Sequence, residues 1–268
     1  MGRSTLWCLA PNFGPNWDRW CRCCLAGSDA GCGQESLVLD GPRSWEASQG
    51  DSESYRIRIE QLFQLAKSGT RFGLERIRAL LQQLGNPERS FRSWHVAGSN
   101  GKGSTSAFLS ELVAAHGHSV GVYTSPHLVD VRERFAIKNL NAEGRVETRW
   151  IQPHTLTELL GSIERCAPGF ADLSFFEVMT ALALLWFEKE RVAFGVIEAG
   201  LGARLDATRL VPAEVSVLTD ISLEHTEFLG ATLREVALEE SQVARPSRPL
   251  IAADGPSEVT QAVSETAE

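Results

Sequence analysis

The most specific chemistry in this chain lies in one run, Gly98-Ser99-Asn100-Gly101-Lys102-Gly103-Ser104-Thr105, set between an apolar stretch and a helical one. Backbone N–H groups of a glycine turn can close on phosphate oxygens. The start of a helix adds partial positive charge, and a lysine at this place reaches the β- and γ-phosphates. Ser104 or Thr105 offers a hydroxyl to Mg2+. The order G-x-x-G-K-G-S departs from the common G-x-x-x-x-G-K-[ST] loop, so its strand-to-helix setting matters as much as its glycines. The plainer alternative is a glycine connection capped by serines. Glu198 follows apolar Val196-Ile197 and precedes Gly200-Leu201-Gly202, which puts its carboxylate where open α/β sheets place their sites, or makes it a cap or surface group. His225 also follows a strand, and a lone histidine is more often a structural hydrogen-bonding group than a ligand.

Two helices must precede this chemistry. Tyr55, Ile59, Leu62, Phe63 and Ala66 share one helical face, and Ile77, Leu80, Leu81 and Leu84 repeat the spacing until Gly85-Asn86-Pro87 stops it. From Trp94 the pattern becomes strand, glycine turn, helix: Trp94 to Ala97, the loop, then Lys102 to His116. Further strands are expected near Val120–Tyr123, Ala193–Ile197, Val215–Thr219 and Pro249–Ala252, and helices near 153–166, 174–190 and 232–244. Strands alternating with helices predict an α/β fold, a mostly parallel sheet with helices on both faces. No internal repeat is present.

The run His95-Val96-Ala97-Gly98-Ser99-Asn100-Gly101-Lys102-Gly103-Ser104, with Tyr123-Thr124-Ser125-Pro126-His127-Leu128 and Glu133-Arg134, resembles the dihydrofolate synthase/folylpolyglutamate synthase family of the Mur ligase superfamily. The likeness continues through Phe175-Phe176-Glu177, Glu198 to Thr208 and Leu223 to Gly230, in the family's order over residues 55–268. Gly103 after Lys102 favours the folate branch, because the peptidoglycan Mur ligases usually carry threonine there. The resemblance implies a Mur-ligase-like central domain that binds ATP at Gly98, Ser99, Asn100, Gly101, Lys102, Gly103, Ser104 and Thr105. It implies Mg2+ ligands at Ser125, Glu198 and His225, and catalytic roles for Lys102 and His225. It places Gly73, Ser174, Phe175, Phe176, Glu177, Leu205, Asp206 and Ala207 around a pterin pocket, where aromatic faces stack on a flat ring and a carboxylate pairs with its amidine-like edge. Phe175 to Phe187 can equally be read as a buried helix. The parent reaction would join L-glutamate to dihydropteroate or a folate through an acyl phosphate, in a monomer that would need a C-terminal domain in trans.

Two residues depart from the family. Glu239-Glu240-Ser241-Gln242 stands where relatives have Glu-Lys-Ala-Gly, and that lysine is carbamylated to bridge metals. Glu240 offers a carboxylate of shorter reach, either as a metal ligand, directly or through water, or as a solvated helix residue. Arg209 replaces the usual asparagine. Relatives also continue into a C-terminal domain that binds ATP and glutamate, which this chain is expected to lack. That leaves two rival readings: a nucleotide- or folate-binding remnant without ligase activity, and a Mur-type peptidoglycan ligase.

Composition narrows the classes. Lys+Arg 26 against Asp+Glu 34 gives a net charge of −8, which argues against an electrostatic hold on nucleic acid or an anionic membrane. Val178 to Phe187 is too short to cross a bilayer. Met1 to Thr5 does not begin a secretory signal, so a cytoplasmic location is expected. Cys8, Cys21, Cys23, Cys24 and Cys32 crowd into residues 1–53, leaving only Cys166 beyond. Their spacings do not form the two C-x-x-C pairs of a zinc site, so this segment is read as a poorly ordered leader, and residues 54–268 as the ATP-binding domain.

Overall fold

The structure is a computed structural model that describes residues 7–9, 53–67, 73–167 and 169–267. The cysteines at 21, 23, 24 and 32 lie outside the described residues. One part of the expected leader departs from that reading: Trp7–Leu9 forms a strand, β1, paired antiparallel with Leu250–Ala252. The two N-terminal helices are α1 (Glu53–Lys67) and α2 (Glu75–Gln83).

Next come β2 (Arg92–Ala97), α3 (Lys102–Ala115), β3 (Val120–Tyr123), β4 (Phe135–Leu140) and β5 (Val146–Trp150). The remaining elements are α4 (Pro153–Cys166), α5 (Phe175–Lys189), β6 (Phe194–Glu198), β7 (Val215–Leu218), α6 (Thr226–Leu229), α7 (Leu233–Glu240), β8 (Leu250–Ala252) and α8 (Ser257–Ala267). One sheet runs β1-β8-β7-β2-β6-β3-β4-β5. From β8 to β3 every pairing is parallel, and the pairings at both edges are antiparallel. The hairpin β4–β5 was not foreseen. Its signal was present in the alternation Val146-Glu147-Thr148-Arg149-Trp150 and in the turn closed by Asn141, whose Oδ1 accepts the Glu143 and Arg145 amides.

Alternation along the strands sends neighbouring residues to opposite faces. Tyr123 and Ile197 join the core beneath α5 and the two N-terminal helices, while Val120, Val122 and Val196 pack under α3. A third apolar cluster holds α7 and α8 against β7 and β8. Helices therefore cover both faces, as expected from sequence. Parallel strands of this kind end on one edge, and their C-terminal ends hold β2's glycine turn, Glu198 and the loops after β3 and β7. Among the described residues no helix is long and apolar enough to cross a membrane.

Candidate active site

The glycine turn joins β2 to α3. Gly98 takes φ +120°, and a Cβ there would meet Thr219 Oγ1 at 2.3 Å, so only glycine fits this close approach to the strand-end of β7. The first three amides of the turn are already used: Gly98 N donates to Glu240 Oε2 (3.0 Å), and Ser99 N and Asn100 N donate to the Asp220 carbonyl (2.8 and 3.1 Å). Asn100 Nδ2 also holds Asp220 and Ser222. The anion-binding capacity thus concentrates at the start of α3. There Gly101 turns at φ +85°, and the following first-turn amides have no intrahelical acceptor. Lys102 folds back over the turn, with Nζ donating to the carbonyls of Gly98 (2.5 Å) and Ser99 (3.2 Å) and lying 4.0 Å from Glu224. Glu224 was not singled out from the sequence, although its neighbour His225 was.

Two buried carboxylates flank this lysine. Glu198, at the end of β6, accepts the Ser125 amide at 3.2 Å, and burial pushes its pKa up to about 7 against the opposing pull of that bond, Lys102 and Arg134. Gly103 passes over it closely: a Cβ there would stand 3.9 Å from Glu198 Oε2. Burial likewise lifts Glu240 to about 7, against the Gly98 bond and Lys102. Its 2% exposure rules out the solvated-helix reading.

A hard cation suits the Glu198 side. A buried carboxylate, the adjacent Ser125 hydroxyl and incoming phosphate oxygens form the all-oxygen set that Mg2+ prefers. Glu198, His225 and Glu240 do not form a cage of side chains by themselves, for among the described residues no three His, Cys, Asp or Glu side chains gather around a metal position. His225 instead stands exposed as the N-cap of α6, at φ +44°.

Beside Ser125 opens a cavity of about 390 Å3, and every residue expected around a pterin pocket lines it: Gly73, Ser174, Phe175, Phe176, Glu177, Leu205, Asp206 and Ala207. Both Phe175 and Phe176 are half-buried at its wall, so the helix they open is a core helix whose first turn faces the site. Ser174 caps that helix through a reciprocal capping box with Glu177. Glu177 Oε2 takes the Ser174 amide (2.7 Å), while its buried Oε1 accepts no hydrogen bond among the described residues but lies 3.3 Å from Arg76 Nε in an ion pair. Asp206 is more fully engaged. It accepts Gly200 N (3.0 Å), Leu201 N (3.1 Å), Thr208 N (2.9 Å) and the Thr208 hydroxyl, and so shapes the turn around the pocket.

Sequence reasoning assigned no role to Arg134, which also lines the cavity. It is 7% exposed, donates from Nε to His127 Nδ1 (2.8 Å) and stacks over the Phe175 ring at 5.3 Å. Burial and this cation hold His127 below the usual imidazole range. No carboxylate lies within ion-pair distance of Arg134 among the described residues. A buried guanidinium whose hydrogen-bond partner is a neutral imidazole can accept an anion at low cost. The only signal in sequence was its place in the Glu133-Arg134 motif.

Sheet order, glycine turn and cavity define the class: an α/β unit of the Mur ligase fold with a phosphate loop at the C-terminal ends of its parallel strands. No family model matches the chain. It is 35% identical over 206 residues to the dihydrofolate synthase/folylpolyglutamate synthase of Bacillus subtilis, covering 75% of this chain and 46% of that one. It is 37% identical over 179 residues to the enzyme of the same description in Escherichia coli, covering 67% and 40%. Among solved structures, E. coli FolC in complex with DHPP and ADP matches with a TM-score of 0.70 and 31% identity, covering 81% of this chain and 50% of that one. Mycobacterium tuberculosis folylpolyglutamate synthase complexed with ADP and AMPPCP matches at 0.68 and 32%, covering 80% and 47%. The chain is therefore a relative of the dihydrofolate synthase/folylpolyglutamate synthases, matching their N-terminal and central part, and it spans less than half the length of these curated relatives.

Proposed function

We propose that residues 54–268 carry the nucleotide, metal and pterin parts of a cytoplasmic, ATP-dependent amide-forming ligase that joins glutamate to dihydropteroate, to folates, or to both. One observation carries this reading. Ser125 lines the cavity while its amide binds Glu198 beneath the phosphate turn, so a carboxylate reaching out of the cavity meets the γ-phosphate of a nucleotide on α3.

The pterin enters between Phe175, Phe176 and the turn Leu205-Asp206-Ala207, with the Glu177 carboxylate, which Arg76 also faces at 3.3 Å, as the acceptor for its amidine edge. Arg134 faces the substrate carboxylate and orients it. That carboxylate attacks the γ-phosphorus, the bond to the β-phosphate oxygen breaks, and acyl phosphate and ADP result. The glutamate amine then attacks the acyl carbon and releases inorganic phosphate and a proton. Lys102 leaves its loop carbonyls to offset charge on the transferring group, alongside the amides that begin α3. Ser125 and Glu198 would hold Mg2+, which supplies neutralising charge between phosphate oxygens. Any second metal position falls near exposed His225 and is the weaker one. We place glutamate binding in the part of the relatives that residues 54–268 do not match.

Calorimetry with Mg·ATP tests the assignment directly. Lys102→Ala should weaken binding by more than tenfold, about 1.4 kcal/mol, and equal affinity for the two proteins would reject it. Binding of pteroate but not of a nucleotide-linked peptide separates the folate reading from the peptidoglycan one.

A further inference from the structure

Glu240 is the charged residue least explained by the roles above. It ends α7 with 2% exposure, and its Oε2 accepts the Gly98 amide at 3.0 Å. The two amides that follow are held by one backbone carbonyl, that of Asp220. Three successive amides at the entry to the turn are thus pinned from outside, one by α7 and two by the loop after β7. Gly98 has no slack to compensate for a lost pin, because Thr219 fills the space where a side chain would go.

We propose that Glu240 is a positioning residue for the phosphate turn. Its carboxylate fixes where the chain leaves β2, so that incoming phosphates meet the amides from Gly101 to Ser104, and it does not itself ligate metal. Three observations support this. One carboxylate oxygen, Oε2, is spent on a backbone amide; Glu240 is not part of any gathering of metal-binding side chains among the described residues; and the end of α7 on which it stands meets the first residue of the turn, Gly98. A buried carboxylate beside a phosphate site is costly unless a donor holds it in place, and the Gly98 amide does so here, with the Lys102 charge also favouring its ionised form. The role rests on the nucleotide reading above, whereas the contact itself does not.

Glutamine keeps an acceptor oxygen at the same reach, and methionine keeps the length without a comparable acceptor. Hydrogen exchange at the Gly98 amide and calorimetric titration of Mg·ADP are measured for wild type, Glu240→Gln and Glu240→Met, together with the Mg2+ midpoint at saturating ADP. A hydrogen bond to a charged group sets the expected scale, so the methionine variant should lose Gly98 protection and Mg·ADP affinity by about tenfold or more. The glutamine variant should stay within about threefold of wild type in both, with its Mg2+ midpoint unmoved. A glutamine variant whose Mg2+ midpoint shifts by about tenfold would make Glu240 a ligand and overturn the proposal. If methionine at this buried site prevents folding, that midpoint and Gly98 exchange in the glutamine variant still decide. Equal Gly98 exchange in all folded variants overturns the contact. A wild-type chain that binds no Mg·ADP overturns the role through the nucleotide reading, even if the exchange pattern stands.

Discussion

His95 shows how one buried side chain ties the strand under the glycine turn to the wall of the cavity beside Ser125. It is fully buried in β2, receives a hydrogen bond at Nδ1 from Arg245 (3.3 Å) and lies 2.8 Å from the Thr208 hydroxyl through Nε2. Thr208 in turn donates to Asp206, so the chain of donors runs from Arg245 through His95 to the pocket carboxylate. Burial, with help from the Arg209 charge, lowers the His95 pKa from 6.5 to about 3. The folded protein keeps this ring neutral below pH 6.5, whereas the unfolded chain protonates it. Stability from this group is therefore full above 6.5 and falls as pH drops toward 3, with a slope approaching about 1.4 kcal/mol per pH unit. Urea unfolding of wild type and His95→Gln across that range should show a flatter acid limb in the variant. Parallel limbs would mean that the histidine is not held neutral.

At the scale of elements, the sheet's contact with α5 depends on a strand residue without a side chain. Gly121 in β3 lies under the Phe187 ring, and a Cβ there would fall 2.6 Å from Phe187 Cγ. Phe187 is itself packed edge-on against Phe91 at 5.8 Å and cannot retreat freely. Gly121→Ala should therefore overpack this layer and cost about 1–3 kcal/mol, measured by chemical denaturation. A neutral or stabilising result would show that α5 can shift on the sheet. Because α5 also presents Phe175, Phe176 and Glu177 to the cavity, such a shift would reach the site.

For the whole molecule, the hydrophobic clusters among the described residues lie within residues 53–267, and β1 adds three residues to one edge of the sheet. An edge pairing of that length contributes on the order of 1 kcal/mol, which corresponds to about 2–4 °C in a protein of this size. Deleting residues 1–52 should lower Tm by no more than that in a thermal melt. A larger fall, or loss of bound zinc on deletion, would assign the cysteine-rich segment a structural role that the strand pairing does not supply.

The α/β class, most strands and helices and the glycine turn were legible in the sequence because they depend on local rules, whereas the residues that line the cavity were named only through the family resemblance. Hydrophobic period, glycine at strand-to-helix junctions and capping pairs such as Ser174 and Glu177 act within a few residues. The antiparallel hairpin β4–β5 was equally local and was simply not read. What needed the tertiary structure was every contact between distant segments: Arg134 buried at the cavity wall over the Phe175 ring, and Glu240 holding the Gly98 amide 142 residues away. A carboxylate's role is set by which donors reach it and how much water it loses. Both depend on chain closure over long separations, which neither residue type nor spacing encodes.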